Sequence, residues 1–277
     1  MSDDANISAY FERIGFAGSI APNLQTLQVL TSSHVAAIPF ENLTPLLDQP
    51  VRLDQKSLEQ KLLYDRRGGY CYEQNLLMMR MLRSLGYEVR PLGARVLWGR
   101  SPDAITPRTH LVLGVDLSGS TWVVDVGFGG PTPTAPLRLR AGTEQETPHE
   151  VFRFTGEDPA LRLEIKAGEE EWLPLYRLDL SEQHEVDFAA PNWFASTHPD
   201  SPFRTRLSAA RAEKGRRLTL RNTTFTTRAT GAEPEIRELT SLAEVKEVLS
   251  GPFGISLPAA ENLDAALDRV LTFPKAG

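Results

Sequence analysis

Cys71 is the only cysteine among 277 residues. It follows Arg67-Gly68-Gly69-Tyr70, where a glycine turn gives way to the apolar run of Leu76, Leu77, Met78, Met79, Met81, Leu82 and Leu85 that stops at Gly86. This spacing predicts a buried helix ended by glycine, with Cys71 at or near its first turn. Unpaired backbone N–H groups and the positive end of the helix macrodipole favour a thiolate at such a place, and the thiolate is the nucleophilic form. A lone cysteine is more often a small buried hydrophobe. A chemical role therefore requires a base to take the thiol proton and a carboxylate to orient that base.

Residues 108–116 alternate with period two, residues 121–127 form a second β-rich run, and Leu117-Ser118-Gly119-Ser120 lies between them. Together they predict a β-hairpin. If Asp116 faces Thr121, Asp125 falls opposite Val112, and His110 lies on the same face as its diagonal neighbour. Diagonal Cβ atoms are within about 7–8 Å, so the carboxylate can reach the imidazole. A shift of one residue would put the two side chains on opposite faces. The plainer alternative is a hydrogen-bonded core histidine with its aspartate partner, since such buried pairs are also structural. Asp116 fits a turn residue opening the hairpin. Residue types and spacing thus reach an activated thiol with a histidine–carboxylate support.

The elements that must position these groups follow from local pattern. The first third is helical: residues 6–15 predict a short helix with a glycine stop, and Ser57-Leu58-Glu59-Gln60 resembles a capping box opening a helix that runs to Tyr64. Across residues 87–188 the pattern changes to short strands at 89–98, the hairpin, 151–155, 161–166 and 172–180, which predicts an antiparallel sheet or barrel. Gly168-Glu169-Glu170-Glu171 suits a solvated hairpin tip, and Pro131, Pro133 and Pro136 an irregular connection. Residues 192–208, with Pro199 and Pro202, look like a linker to a last segment. That segment carries a strand over 218–225, a helix opened by Ser241-Leu242-Ala243-Glu244, and an amphipathic helix bearing Leu263, Leu267 and Leu271. The expected fold is α+β: a helical domain over 1–86 carrying the thiol, an antiparallel β-barrel-like domain over 87–190 carrying the histidine and aspartate, a linker over 191–208, and an α/β lid over 209–277.

At this point the motifs resemble a known family. The order Arg67-Gly68-Gly69-Tyr70-Cys71, Pro107-Arg108-Thr109-His110-Leu111 and Asp125-Val126-Gly127-Phe128-Gly129 is similar to that of the arylamine N-acetyltransferases. Tyr10-Phe11-Glu12-Arg13-Ile14-Gly15-Phe16, Ile38-Pro39-Phe40-Glu41-Asn42-Leu43 and Asn192-Trp193-Phe194-Ala195-Ser196-Thr197 resemble further family segments, so the likeness spans nearly the whole chain. The resemblance implies a cysteine-protease-like catalytic core with a cleft where the three parts meet. It implies Cys71 as nucleophile, His110 as general base and acid, and Asp125 as orienter. Acetyl-CoA would be the donor and an aromatic amine or hydrazine the acceptor, in a ping-pong reaction through acetyl-Cys71.

The resemblance also implies that the loop Gly127-Phe128-Gly129-Gly130 lines the acceptor pocket beside the CoA site. Phe128, Gly129, Tyr72 and Thr109 are the candidate substrate contacts, and Gly127, Gly129, Gly130 and Thr109 the candidate cofactor contacts. By residue type alone the same loop is a flexible turn with one core phenylalanine, whose glycines would let N–H groups approach a phosphate. Tyr70 and Tyr72 are packing residues by type, and the methionines fill core. Arg67 suits a support of the nucleophile loop, paired with Glu41 or bound to carbonyls. The Cys71 backbone N–H is the first candidate oxyanion donor. Rival readings keep the acyl-enzyme chemistry: an amide synthase acting on a carrier-bound acyl chain, or a papain- or transglutaminase-like hydrolase. A binding protein with a vestigial triad is a further alternative.

Composition bounds the partners. With 41% hydrophobic and 24% charged residues the chain is an ordinary globular protein, and a net charge of -6 argues against nucleic acid or an anionic membrane as main partner. A polyanionic donor such as CoA then needs a local basic or N–H-lined patch. The start, Met1-Ser2-Asp3-Asp4-Ala5-Asn6, has neither the basic region nor the apolar stretch of an export signal, and no apolar run reaches membrane-spanning length. A single cysteine precludes an intramolecular disulfide and fits a reducing compartment, so the cytoplasm is expected. His34, His149, His184 and His198 lack ligand spacing, and no metal is expected.

Overall fold

A computed structural model describes residues 5–272; the reading of the chain start rests in part on residues 1–4, which lie outside them. Helix α1 (Ile7–Ile14) is capped by Asn6, whose Oδ1 accepts the Ala9 N–H at 3.0 Å, and it stops at Gly15 in the left-handed region. Then come α2 (Leu24–Ala37), β1 (Phe40–Glu41), α3 (Leu43–Leu46) and α4 (Gln55–Glu59), which runs on into a π-helical turn, Gln60–Tyr64. The box expected at Ser57 is not the cap. Asp54 caps α4, its Oδ1 accepting the Ser57 N–H at 3.0 Å, because a carboxylate beside an extended backbone competes better for the free donors of the first turn. Helix α5 (Cys71–Ser84) buries Leu76, Leu77, Met78, Met79, Met81 and Leu82.

Eight strands follow: β2 (Glu88–Val96), β3 (Arg108–Leu117), β4 (Ser120–Val124), β5 (Leu137–Arg138), β6 (Glu144–Glu146), β7 (Val151–Thr155), β8 (Arg162–Lys166) and β9 (Trp172–Asp179). They form one antiparallel sheet in the order β5-β4-β3-β2-β9-β8-β7-β6. Its two ends meet through a side chain: the Arg138 N–H donates to Gln145 Oε1 at 2.6 Å, and Gln145 Nε2 donates back to the Arg138 carbonyl at 2.9 Å. The sheet is therefore nearly closed into a barrel around Val112, Val123, Phe152, Phe154, Leu163 and Tyr176. Full burial of a side chain such as Phe152 contributes about 1.5–3 kcal/mol. In the β3–β4 hairpin Asp116 faces Thr121 and Leu113 faces Val124, the register expected from the sequence.

A 3-10 turn (Glu185–Phe188) leads to α6 (Ala189–Thr197) and α7 (Pro202–Thr205). The stretch expected to be a linker is thus largely helical. Its prolines do not oppose this, because Pro202 sits in the first turn of α7, where its missing N–H has no acceptor to lose. Asn192 is buried, and its Nδ2 donates to the Val51 carbonyl at 3.0 Å. The chain ends with β10 (Ser208–Glu213), β11 (Arg216–Arg221), β12 (Thr224–Ala229), β13 (Glu235–Glu238), α8 (Leu242–Ser250) and α9 (Leu263–Leu271). The single strand expected over 218–225 is two, split by Asn222 at φ 52°, a left-handed turn position that asparagine tolerates. The second sheet has the order β1-β10-β11-β12-β13, so the first third of the chain supplies one of its edges. Leu218 and Leu220 pack with Val245, Val248 and Leu267 of α8 and α9. Among the described residues no helix is long and apolar enough to cross a membrane.

Candidate active site

Cys71 is the first residue of α5, delivered there by a turn that only glycine can make: a Cβ on Gly68 would lie 2.0 Å from the Pro39 carbonyl oxygen. Buried charges brace the turn. Arg67 pairs with Glu41 at 2.9 Å, and Lys61 with Glu73 at 2.6 Å, while Glu73 Oε2 accepts the Tyr70 N–H at 3.1 Å. Burial works against a charge on Glu41, but the neighbouring Arg67 and Lys61 cations overcome it and hold its pKa low. For Glu73 burial prevails over Lys61, and its pKa is raised. Arg67 thus braces the loop that leads into Cys71.

The hairpin brings the other two groups to the thiol. His110 Nε2 lies 2.7 Å from Asp125 Oδ2, both side chains are buried, and the second ring nitrogen is left for Cys71. Burial by itself would lower the His110 pKa. The Asp125 charge and hydrogen bond, reinforced by the Cys71 contact, instead raise it to about 10. Cys71 Sγ also lies 3.9 Å from the Thr109 carbonyl oxygen.

Two residues that sequence reasoning passed over complete the geometry. Asn75, one turn beyond Cys71, donates from Nδ2 to the Leu111 carbonyl at 2.7 Å and to Asp125 Oδ1 at 3.1 Å, and accepts the Val126 N–H at 3.0 Å. It ties the helix of Cys71 to the strand that carries the imidazole and to the segment just past β4 that carries the carboxylate, and its i+4 spacing from Cys71 was the available signal. Tyr176 comes from β9, with its ring 5.2 Å from His110 and 5.4 Å from Phe128. No local pattern linked that strand to the hairpin.

Cys71 and His110 open onto a cleft of about 1000 Å³ whose walls include Thr109, Phe128, Gly129 and Gly130 together with Phe40 and Phe203. Gly127 lines it as well, but a Cβ there would lie 2.7 Å from Cys71 Cα, and its N–H is committed to Asp125 Oδ1 at 3.0 Å. The Phe128 N–H is likewise taken, by Thr132 Oγ1 at 2.8 Å. Tyr72 is the one expected contact set apart from the cleft: it is fully buried against Tyr70 and Phe188. Arg100, Lys166, Arg217, Arg221 and Arg228 also line the cleft, against the single carboxylate Glu150. In a chain of net charge -6 this is a local basic surface. Among the described residues no group of three or more His, Cys, Asp or Glu side chains could hold a metal ion. A thiol, an imidazole and a buried carboxylate in this order suit acyl transfer through a covalent intermediate.

Comparison with known proteins agrees with acyl transfer. The N-acetyltransferase family profile matches residues 23–262. An arylamine N-acetyltransferase of Mycobacterium tuberculosis is 42% identical over 256 residues, 91% of this chain and 90% of that protein. The chain belongs to the arylamine N-acetyltransferase family. The Escherichia coli arylamine N-acetyltransferase is 40% identical over 257 residues, 92% of this chain and 91% of its own length. The structure of the Mycobacterium marinum arylamine N-acetyltransferase in complex with CoA superposes with a TM-score of 0.91 at 40% identity, covering 96% of this chain and 99% of that one. The α+β fold with its barrel-like sheet is thus that of solved arylamine N-acetyltransferases.

In this arylamine N-acetyltransferase family member the C-terminal sheet is locked to the site loop by two side chains, Arg217 and His149. Arg217 of β11 forks onto Glu150 at 2.9 and 2.6 Å, and its nitrogens also donate to the Gly130 carbonyl at 2.6 Å and the Thr132 carbonyl at 3.1 Å. Beside it, His149 Nε2 meets the Glu213 carbonyl at 2.7 Å and Nδ1 meets Thr134 Oγ1 at 3.0 Å. The loop that follows Asp125 is therefore held from the barrel side and from the C-terminal side at once.

Proposed function

We propose that this protein moves an acetyl group from acetyl-CoA to the nitrogen of an aromatic amine or hydrazine through an acetyl-Cys71 intermediate. The observation that carries the reading is the contact of Cys71 with His110, itself bound to buried Asp125 at 2.7 Å, at the cleft where Phe40, Phe128 and Phe203 offer aromatic surface. With the His110 pKa raised to about 10, the ring holds a proton at neutral pH. Cys71 Sγ attacks the thioester carbonyl, and the Cys71 N–H, free at the first helical position, faces the developing oxyanion. As the carbon–sulfur bond to CoA breaks, the leaving thiolate takes the His110 proton and departs as the thiol. The neutral imidazole then accepts a proton from the amine as its nitrogen attacks acetyl-Cys71, and collapse expels the Cys71 thiolate. Each half-reaction returns the proton that the other used.

In this scheme Phe128, Gly129 and Thr109 border the acceptor, and the cleft's guanidinium groups meet the charge of CoA. Tyr72 takes no part. Dependence on one reduced thiol suits the cytoplasm.

The test is intact-protein mass after mixing with acetyl-CoA alone, then after a chase with an aromatic amine, beside Cys71→Ala. The expected result is one acetyl adduct on the wild type that disappears on chase, and none on the variant. Labelling of Cys71 by iodoacetamide without any adduct from acetyl-CoA would overturn the donor and favour an amide synthase or a hydrolase.

A further inference from the structure

The turn that delivers Cys71 is closed by backbone groups: the Gly69 N–H donates to the Pro39 carbonyl at 3.3 Å, and the Glu41 N–H to the Gly69 carbonyl at 3.1 Å. One side chain joins both carbonyls. Gln74, fully buried on α5 just beyond Cys71, donates from Nε2 to the Pro39 carbonyl at 2.8 Å and the Gly69 carbonyl at 3.3 Å, with the Ile38 carbonyl beside them at 3.4 Å. Carbonyls only accept, so the amide nitrogen must face the turn and Oε1 must face away from it. There Oε1 meets His34 Nε2 at 2.8 Å, which therefore carries the ring proton. That leaves Nδ1 to accept the Tyr10 O–H at 3.0 Å, a stronger acceptor than the Met78 sulfur at 3.2 Å. His34 and Tyr10 are fully buried, and burial keeps the imidazole neutral by lowering its pKa to about 4. Each polar atom of the chain Tyr10–His34–Gln74 thus has a single role, and the amide cannot turn over without setting its oxygen against the carbonyls of the turn. None of the three lines the cleft.

We propose that Gln74 is a positioning residue for acetyl transfer, holding the Pro39–Gly69 turn so that Cys71 meets His110, and that His34 acts through it by fixing which way its amide faces. This role rests on the acetyl-Cys71 chemistry proposed above. A packing role would need only bulk at position 74, whereas the partners found there need an amide and need it one way round. A displaced turn moves the thiol relative to the imidazole and leaves the walls of the cleft in place, so rate rather than affinity should register the loss.

The experiment follows acetylation of Cys71 by rapid quench over a range of acetyl-CoA concentrations in the wild type, Gln74→Met, His34→Leu, His34→Gln and the double variant Gln74→Met/His34→Leu, with urea midpoints and iodoacetamide labelling alongside. Gln74→Met should slow acetylation at saturation about tenfold or more while the half-saturating concentration stays within about twofold of wild type. His34→Leu should do part of the same, and His34→Gln should restore most of the rate, because its amide N–H can reach Gln74 Oε1. Since His34 acts only through Gln74, the double variant should be no slower than Gln74→Met alone. Urea midpoints that fall while the folded variants acetylate at the wild-type rate would reduce the pair to a structural brace and overturn the proposal. Additive losses in the double variant, or a change confined to the half-saturating concentration, would overturn it as well. Should Gln74→Met fail to fold, His34→Leu against His34→Gln decides the matter, and equal rates in the two refute it. Iodoacetamide needs no acyl donor, and its labelling of Cys71 at neutral pH should slow in the same order. A wild type that forms no adduct with acetyl-CoA therefore sinks the donor reading, while the labelling order still tests the role of Gln74.

Discussion

Gly127 shows how one atom decides whether the site can assemble. Its missing Cβ lets the backbone after Asp125 lie against Cys71, where an added methyl would sit 2.7 Å from Cys71 Cα and 3.0 Å from Asn75 Nδ2. Gly127→Ala should therefore push the thiol and imidazole apart, slowing acetylation of Cys71 by about tenfold or more and lowering stability by about 1–3 kcal/mol. Rapid-quench acetylation and urea unfolding check this, and a wild-type acetylation rate would refute it. Cys71, His110 and Asp125 were legible because each sits in a short run whose period fixes its face. Asn75 and Tyr176 were not singled out: an asparagine in a helix or a tyrosine in a strand has many ordinary uses, and only tertiary packing sets Tyr176 5.2 Å from His110.

Among the elements, those with internal signals were readable and those bounded by single residues were not. The hairpin register followed from turn length and alternation, and α8 begins at the Ser241 cap with Glu244 as expected. The turn that splits the expected strand over 218–225 went unread because Asn222 was the only cue inside an otherwise β-rich run. The helices α6 and α7 were hidden by prolines that break a helix interior but fit a first turn. Arg217, which joins β11 to the barrel, had no sequence cue, yet it ties the C-terminal sheet to the loop after Asp125 through Glu150 and the Gly130 and Thr132 carbonyls. Arg217→Met keeps most of the bulk but leaves Glu150 and two carbonyls without their donor, which should cost about 3 kcal/mol and raise KM for the amine. Arg217→Lys should recover only part, because an ammonium cannot reproduce the fork. Urea midpoints with amine KM values test this; a loss below about 0.5 kcal/mol would contradict it.

At the scale of the whole molecule, two buried histidines pull stability in opposite directions with pH. His34 lies between the Tyr10 hydroxyl at 3.0 Å and Gln74 Oε1 at 2.8 Å, and burial lowers its pKa to about 4 despite the Gln74 bond. The unfolded chain binds that proton near pH 6.5, so the stability tied to neutral His34 is present above that value and lost as pH falls toward 4, by about 3 kcal/mol. His110 has the reverse sign: its raised pKa stabilises the fold fully below about 6.5 and loses that contribution as pH climbs through about 10. His34→Gln should flatten the acid limb relative to wild type when urea unfolding is followed between pH 7 and pH 4. Parallel acid limbs would show that His34 is not responsible. The sheet order β1-β10-β11-β12-β13 also bears on how the chain is made. Strand β1 is among the first parts to leave the ribosome, yet its ladder partner β10 is translated far later, after on the order of 10 s at about 5–20 residues per second. Until then the strand is held by its bridge from Phe40 to Gly69 and by the Arg67–Glu41 pair, so the nascent chain carries the edge meant for β10 open through most of its own synthesis.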